Sequence, residues 1–207
     1  LAKLGITIPA PTLRRFWSML AHYHAQVFNA SELARAFGVT DKTVRHYLDI
    51  LAGALVVRQL PPWHANISKR QVKAPKIYIS DSGLVHSLLH IRTQEDLLAH
   101  PKMGASWEGF VLQQVIRQLS ADREECFFWA THAGAELDLL IVRGRLRLGF
   151  EIKRTSSPKL TPSMRSALSD LRLERLDVIH AGEETFPLAD RVRAVALCRL
   201  LSDLKPL

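Results

Sequence analysis

Two runs of alternating polarity, AELDLLIV from Ala135 and RLRLGFEIKR from Arg145, flank an Arg143–Gly144 turn. Side chains alternate between the faces of a strand, so each run buries one face, and the short turn makes the two strands antiparallel neighbours. Leu137, Leu139 and Ile141 take one side of the first strand, and Glu136 and Asp138 the other. On the second strand Phe150 and Ile152 oppose Glu151 and Lys153. This pairing predicts that Asp138 and Glu151 lie within a few ångströms of each other. Carboxylates held so close repel unless a cation joins them, and hard oxygen ligands select Mg²⁺ or Mn²⁺. Lys153 reaches the same point, where an ammonium group orients an attacking water or stabilises charge developing on a phosphate. Glu108, from the helix that precedes the sheet, is a candidate to hold a metal-bound water. Together these groups describe metal-assisted phosphodiester hydrolysis. The bland alternative for Glu151 and Lys153 is a solvated pair worth under about 1 kcal/mol.

The flanking patterns extend this hairpin into a domain. GASWEGFVLQQVIRQLS (104–120) carries an apolar stripe of Trp107, Phe110, Val111, Val115 and Leu119 at helical spacing. CFFWAT, bounded by the turn residues HAG, precedes the two alternating runs, so the three strands form an antiparallel meander. A helix is predicted from about Pro162 to Leu173, then the strand LDVIHA and an apolar strand RAVALCRLL. The predicted order is helix, three strands, helix, strand: an α+β domain.

The first half reads differently. NASELARAFGVTDKTVRHYLDIL (29–51) contains two short helices joined by a tight turn. Asn29 or Ser31 caps the first, Gly38 supplies the turn, and Thr40 or Asp41 caps the second. Val44, Leu48 and Leu51 face inward, while Lys42, Thr43, Arg45, His46 and Asp49 face outward. In a helix-turn-helix the second helix enters the major groove, which makes Lys42, Thr43, Arg45 and His46 candidate nucleic-acid contacts. LVVRQLPPW (55–63) and APKIYISDSG (74–83) then read as strands joined by a long basic connection, the wing of a winged helix. No acidic residue falls between Asp49 and Asp81, whereas Arg58, Lys69, Arg70, Lys73 and Lys76 do, a stripe suited to several phosphates. Winged helices also serve as protein contacts. PTLRRFWSMLAHYHAQ upstream is predicted to be an amphipathic helix packed on this module, and DSGLVHSLLHI downstream to be a single connecting helix.

The net charge of +8 with pI about 9.9 agrees with an acidic partner, and most of the excess lies in the first half, where residues 1–100 hold 12 Lys and Arg against 6 Asp and Glu. No apolar run approaches a membrane span, and the opening LAKLGITIPAP lacks the pattern of a signal peptide and reads as an internal cut in a longer protein. Cys126 and Cys198 stand far apart without a pairing pattern, which fits a reducing, cytoplasmic setting.

Glu108 on a helix, then Asp138, then Glu151-Ile152-Lys153 in this element order resemble the PD-(D/E)XK nuclease superfamily, the restriction-endonuclease-like fold. The resemblance implies a divalent metal at Asp138 and Glu151, Lys153 as catalytic partner, Glu108 as the helix acid and the Ile152 carbonyl as a further ligand. More widely, the helix-turn-helix with PKIYISDSGL, GASWEGFV, FFWATHAGAELDLLI and FEIKRTSS is similar to the C-terminal half of a family of prokaryotic AAA-type ATPases, usually catalogued as a domain of unknown function. That similarity implies an N-terminal P-loop ATPase core as partner. No G-x-x-x-x-G-K-[ST] occurs in this chain, so it is not expected to bind ATP by that route. Ala130 stands after Trp129 where such sequences often carry a basic residue. The resulting division is a helical lead-in at 1–28, a winged helix-turn-helix at 29–80, a connecting helix at 81–103 and a nuclease-like domain at 104–207. Three roles follow as expectations: a metal-dependent nuclease acting on DNA, a DNA-binding regulatory module without cleavage, or a protein-interaction module of the ATPase.

Overall fold

A computed structural model describes residues 8–65 and 67–207. The opening LAKLGIT, with the reading made of it, and Asn66 of the basic connection lie outside the described residues. The chain divides into two compact units, one built from residues 8–59 and Lys76–Gly109, the other from Leu60–Pro75 and Phe110–Leu207.

In the first unit the elements run α1 (Ala10–His22), β1 (Gln26–Val27), α2 (Ala30–Phe37), α3 (Asp41–Gly53), β2 (Val57–Leu60), β3 (Lys76–Ile79), α4 (Ser82–Leu88) and α5 (Gln94–Ala99). Local chemistry sets the helix ends. Asn29 accepts the Glu32 N–H at 3.2 Å and Thr40 accepts the Thr43 N–H at 3.2 Å, so these two, rather than Ser31 and Asp41, are the caps. Ser31 and Asp41 instead bond each other at 2.6 Å across the turn. Gly38 closes α2 at φ 68°, left-handed backbone that a side chain rarely adopts. Leu33, Ala34, Val44, Leu48 and Leu51 meet Phe16 and Leu20 of α1 in one apolar core. Phe37 lies edge-on to Phe16 at 5.7 Å. The sheet order is β1-β3-β2, with β1 antiparallel to β3.

Two expectations change here. The single connecting helix is two, because His90 adopts φ 58° after α4 and a Thr93–Asp96 capping box starts α5 afresh. The basic connection between β2 and β3 is not a free wing but an arm of the second unit. It runs beside the edge strand β4 (Cys126–Ala130): the Trp63 N–H donates to the Phe128 carbonyl at 2.7 Å, Phe128 N–H to Pro61 at 3.0 Å, Val72 N–H to Ala130 at 3.0 Å and His132 N–H to Arg70 at 2.9 Å. Trp63, Ala65 and Ile67 of the arm pack on the second core, and Arg147 lies 5.5 Å over the Trp63 ring. The Gln71 amide fastens the arm to itself, exchanging hydrogen bonds with the backbone of Ala65, and accepts the Trp129 indole N–H at 3.1 Å. The physical reason is edge satisfaction: β4 is the terminal strand of its sheet, and the arm pairs groups that would otherwise be open.

The helix α6 (Met103–Gln118) contains the boundary between the units at Gly109–Phe110. The second unit continues with β4, β5 (Glu136–Arg143), β6 (Leu146–Lys153), α7 (Pro162–Asp170), β7 (Arg175–His180), β8 (Phe186–Ala189), β9 (Val192–Ala196) and α8 (Leu200–Asp203). The sheet order is β4-β5-β6-β7-β9-β8. β4, β5 and β6 form the expected antiparallel meander, and β7 and β9 add in parallel. The fold is a mixed-sheet α+β arrangement. β8, an antiparallel edge strand containing Pro187, was not legible beforehand, and the last predicted strand stops at Ala196 before a 3₁₀ turn and α8. Gly144, at φ 60°, turns the β5–β6 hairpin. Gly149 has a packing role: a Cβ there would come within 2.5 Å of Leu173 and 3.2 Å of Leu137. Met164, Ala167 and Leu171 of α7 and the end of its turn cover that face of the sheet, with Leu140, Leu176 and Val178 beneath.

Candidate functional site

The β5–β6 ladder pairs Leu139 with Phe150 and then changes character. Asp138 reaches across with its side chain and accepts the Ile152 backbone N–H at 2.8 Å. Glu151 lies between Phe150 and Ile152 on the neighbouring strand, and Asp138 and Glu151 are each 6% exposed. Burial is the main force that pushes the Glu151 carboxyl up to about 8, the negative charge of Asp138 adds to it, and Lys153 opposes it. Glu136 contributes a smaller push in the same direction. Lys153 Nζ sits 2.6 Å from Glu151 Oε1 while its side chain remains 44% exposed. Glu151 Oε2 is buried without a hydrogen-bond partner. Lys153 lies beside His180 of β7 in the parallel register, and the His180 ring is tied to the Glu184 carbonyl and the Gly182 N–H.

Asp138, Glu151 and Lys153 are therefore brought together, although strict alternation fails in β5, where Leu137 joins Leu140 in the core under α7 and the β4–β5 register shifts between Phe127 and Trp129. Their chemistry fits a hard divalent cation: two buried carboxylates in repulsion, one oxygen unpartnered, and an ammonium as the present counter-charge. Ile152 is tied to this centre through its N–H. Glu108 lies on α6 in the first unit. Within the first unit its carboxylate accepts the Tyr78 hydroxyl at 2.6 Å and lies 3.3 Å from Lys76 Nζ. Among the described residues, no group of three or more His, Cys, Asp or Glu side chains is gathered to hold an ion. Sequence reasoning overlooked Glu136 as a charge felt by Glu151. Its signal was present: it lies two residues from Asp138 on the same face.

The candidate nucleic-acid contacts separate into three sets. Lys42, Arg45 and His46 are exposed on α3, whereas Thr43 is half-buried and its hydroxyl meets that of Thr40 at 3.0 Å. Arg70 and Lys73 are exposed on the arm, and Arg58 is half-buried on β2. The remaining two depart from the expected basic stripe. Lys76 is 3% exposed and paired with Glu108, and Lys69 Nζ is held 2.6 Å from Asp170 and 2.9 Å from Ser166. Lys76 is thus buried in its pair, whereas the Lys69 side chain remains 43% exposed.

Residues 103–200 match the family model of a domain of unknown function, DUF4143. Residues 1–95 match a second domain of unknown function, DUF8612. The uncharacterised proteins Rv2008c of Mycobacterium tuberculosis and Mb2031c of Mycobacterium bovis are each 54% identical to this chain over 202 residues, covering 98% of it and 45% of the relative. The chain thus spans less than half the length of these curated relatives. No solved structure gives a significant match. Among the described residues no helix is long and apolar enough to cross a membrane.

Proposed function

We propose that the chain is the C-terminal, nucleic-acid-directed module of an AAA-type ATPase, with a winged helix in its first unit and a PD-(D/E)XK nuclease-like fold in its second, hydrolysing DNA phosphodiesters at Asp138, Glu151 and Lys153. The DUF4143 match supports the setting, since that domain is found in C-terminal regions associated with AAA ATPases. The α-β-α-α-β-β order with a β1-β3-β2 sheet supports the winged helix, and the α6-β4-β5-β6-α7-β7 order supports the nuclease-like fold. The N-terminal partner would be a P-loop ATPase domain, and two cysteines outside any disulfide agree with a cytoplasmic setting.

The observation that carries the reaction is the buried Glu151 carboxylate, with an unpartnered oxygen, repelled by Asp138 and bridged to Lys153. Asp138 and Glu151 would hold Mg²⁺ or Mn²⁺, which when bound supplies Lewis acidity toward a phosphoryl oxygen and lowers the pKa of water. The Ile152 N–H fixes the Asp138 rotamer in advance, so little ordering is left to binding. Lys153, half in solvent, can leave Glu151 and turn its ammonium toward charge accumulating on the phosphate. Incubating labelled DNA with the full chain in Mg²⁺ or Mn²⁺ tests this. Cleavage abolished in Asp138→Ala, Glu151→Ala and Lys153→Ala alike supports the reading; unchanged cleavage in either carboxylate variant defeats it.

A second reading is a non-catalytic regulatory or protein-interaction module that retains the fold. One observation favours it: the Lys153 ammonium, 2.6 Å from Glu151, already supplies a counter-charge to the buried pair. DNA binding with no cleavage in any divalent ion would select it.

A further inference from the structure

The arm whose ends read as a wing of the helix-turn-helix belongs to the second unit, and its exposed cations therefore belong to a different surface. Arg70 is bonded through its carbonyl to His132, in the turn that leads from β4 into Glu136 and Asp138. Ser163, in the first turn of α7, accepts the Glu136 N–H and donates to its carbonyl, both at 2.8 Å. A cavity of about 300 Å³ lined by Lys69, Thr131, Ala133, Gly134, Ser163 and Ser166 joins the arm, the β4–β5 turn and α7 at this end of the sheet. The chain leaving Lys153 crosses the same end, and from Ile152 to Ser169 it contains no acidic residue, but Lys153, Arg154, Lys159 and Arg165.

Arg70, Lys73, Arg154, Lys159 and Arg165 are all exposed, and none forms an ion pair among the described residues. Elsewhere in this unit Arg117, Arg123, Arg145 and Arg172 are exposed in the same way, while other arginines are paired. Arg143 is matched to Glu125, Arg175 and Arg193 to Asp177, and Arg199 to Asp203. Thr155, Ser156 and Ser157 add exposed hydroxyl donors beside Arg154. The Ala181 N–H donates to the Thr155 carbonyl at 2.9 Å, which joins this loop to the β7–β8 connection that carries Glu183 and Glu184. Two buried carboxylates would repel a polyanion, so its approach to them needs positive charge set around the centre.

We infer that Arg70 and Lys73 of the arm, with Arg154, Lys159 and Arg165 beyond β6, form a rim that grips the phosphate backbone of a nucleic acid across the Asp138–Glu151 centre. The inference rests on reading that pair as the reaction centre. The cations stand on separate elements along the end of the sheet, which matches an extended chain of phosphates better than a single small anion. Contacts of this kind position the backbone and carry no sequence information.

The test is fluorescence anisotropy of labelled duplex DNA with the full chain, in Ca²⁺ and over a salt series. Arg154→Gln/Lys159→Gln/Arg165→Gln and Arg70→Gln/Lys73→Gln should each weaken binding about tenfold and flatten the salt slope by about 0.9 for each phosphate no longer neutralised. Single substitutions at the same exposed positions, with thermal melts matching wild type, provide the same reading should a multiple variant fold poorly. Wild-type affinity and slope in the neutralised variants overturn the rim, whether or not the chain cleaves DNA. Reduced affinity and slope in a chain that never cleaves leave the rim standing and remove the reaction. An equal weakening of binding to polyglutamate overturns nucleic acid as the partner in favour of an acidic protein.

Discussion

The backbone N–H of Ile152 donates a 2.8 Å hydrogen bond to the carboxylate of Asp138, in place of the next rung of the β5–β6 ladder. A side chain that substitutes for a strand carbonyl fixes its own rotamer and holds its charge next to Glu151. The same bond makes Asp138 both a structural and a chemical residue, and the two roles separate by substitution.

Asp138→Ala leaves the Ile152 N–H buried without its acceptor and is expected to cost about 1–3 kcal/mol in chemical denaturation. Asp138→Asn keeps an oxygen acceptor and is expected to stay within about 1 kcal/mol of wild type. Both lose divalent-ion binding, measured by calorimetry. Wild-type ion affinity in Asp138→Asn would remove Asp138 from the ligand set.

Glu151 sets a pH dependence opposite to that of most carboxylates. Its carboxyl, ordinarily near 4.5, is pushed up to about 8, first by burial and then by Asp138. Between those values the folded chain holds a proton that the unfolded chain releases, so stability is fully present below about 4.5 and declines as pH rises toward 8. The slope is at most about 1.4 kcal/mol per pH unit. Melting curves of Glu151→Gln, which stays neutral, are expected to lose this slope. An unchanged slope in that variant would mean that another group titrates.

Glu108 is expected to behave as a structural residue. Glu108→Ala takes the carboxylate from the Tyr78 hydroxyl and from the buried Lys76, at a cost of about 2–3 kcal/mol. Glu108→Gln keeps an acceptor for Tyr78 and loses less. Calorimetry of Mg²⁺ binding to the Glu108→Gln chain decides whether Glu108 also serves the ion. A Glu108→Gln chain that folds normally but no longer binds Mg²⁺ would restore the helix acid to the site.

The arm depends on Gln71. Its amide oxygen accepts from the Ala65 N–H and the Trp129 indole, so Gln71→Ala strips the acceptor from two inward donors at once. A destabilisation of about 2–4 kcal/mol is expected. Hydrogen exchange should also quicken at Trp63, Phe128 and Val72, whose N–H groups make the arm's backbone bonds. Retained protection there would show that the arm's backbone holds without Gln71.

What was legible in advance was local. The hairpin turn and the E-x-K pattern marked Asp138, Glu151 and Lys153 as neighbours, although the β4–β5 register shift broke the alternation at Leu137, and the caps and Gly38 marked the helix-turn-helix, because such patterns depend on neighbours a few residues apart. His90 and β8 escaped notice because a left-handed residue and a short proline-bearing edge strand leave little local trace. Two matters were decided only by the tertiary structure. The segment 60–75 reads as a wing from its ends, yet it belongs to the second unit because the open edge of β4 and the core around Trp129 satisfy its backbone and bury Trp63. Glu108 reads as a helix acid, and only the structure shows that β3 brings Lys76 and Tyr78 within hydrogen-bonding distance of it. Periodicity reports which face a side chain takes, and only long-range packing settles what it meets there.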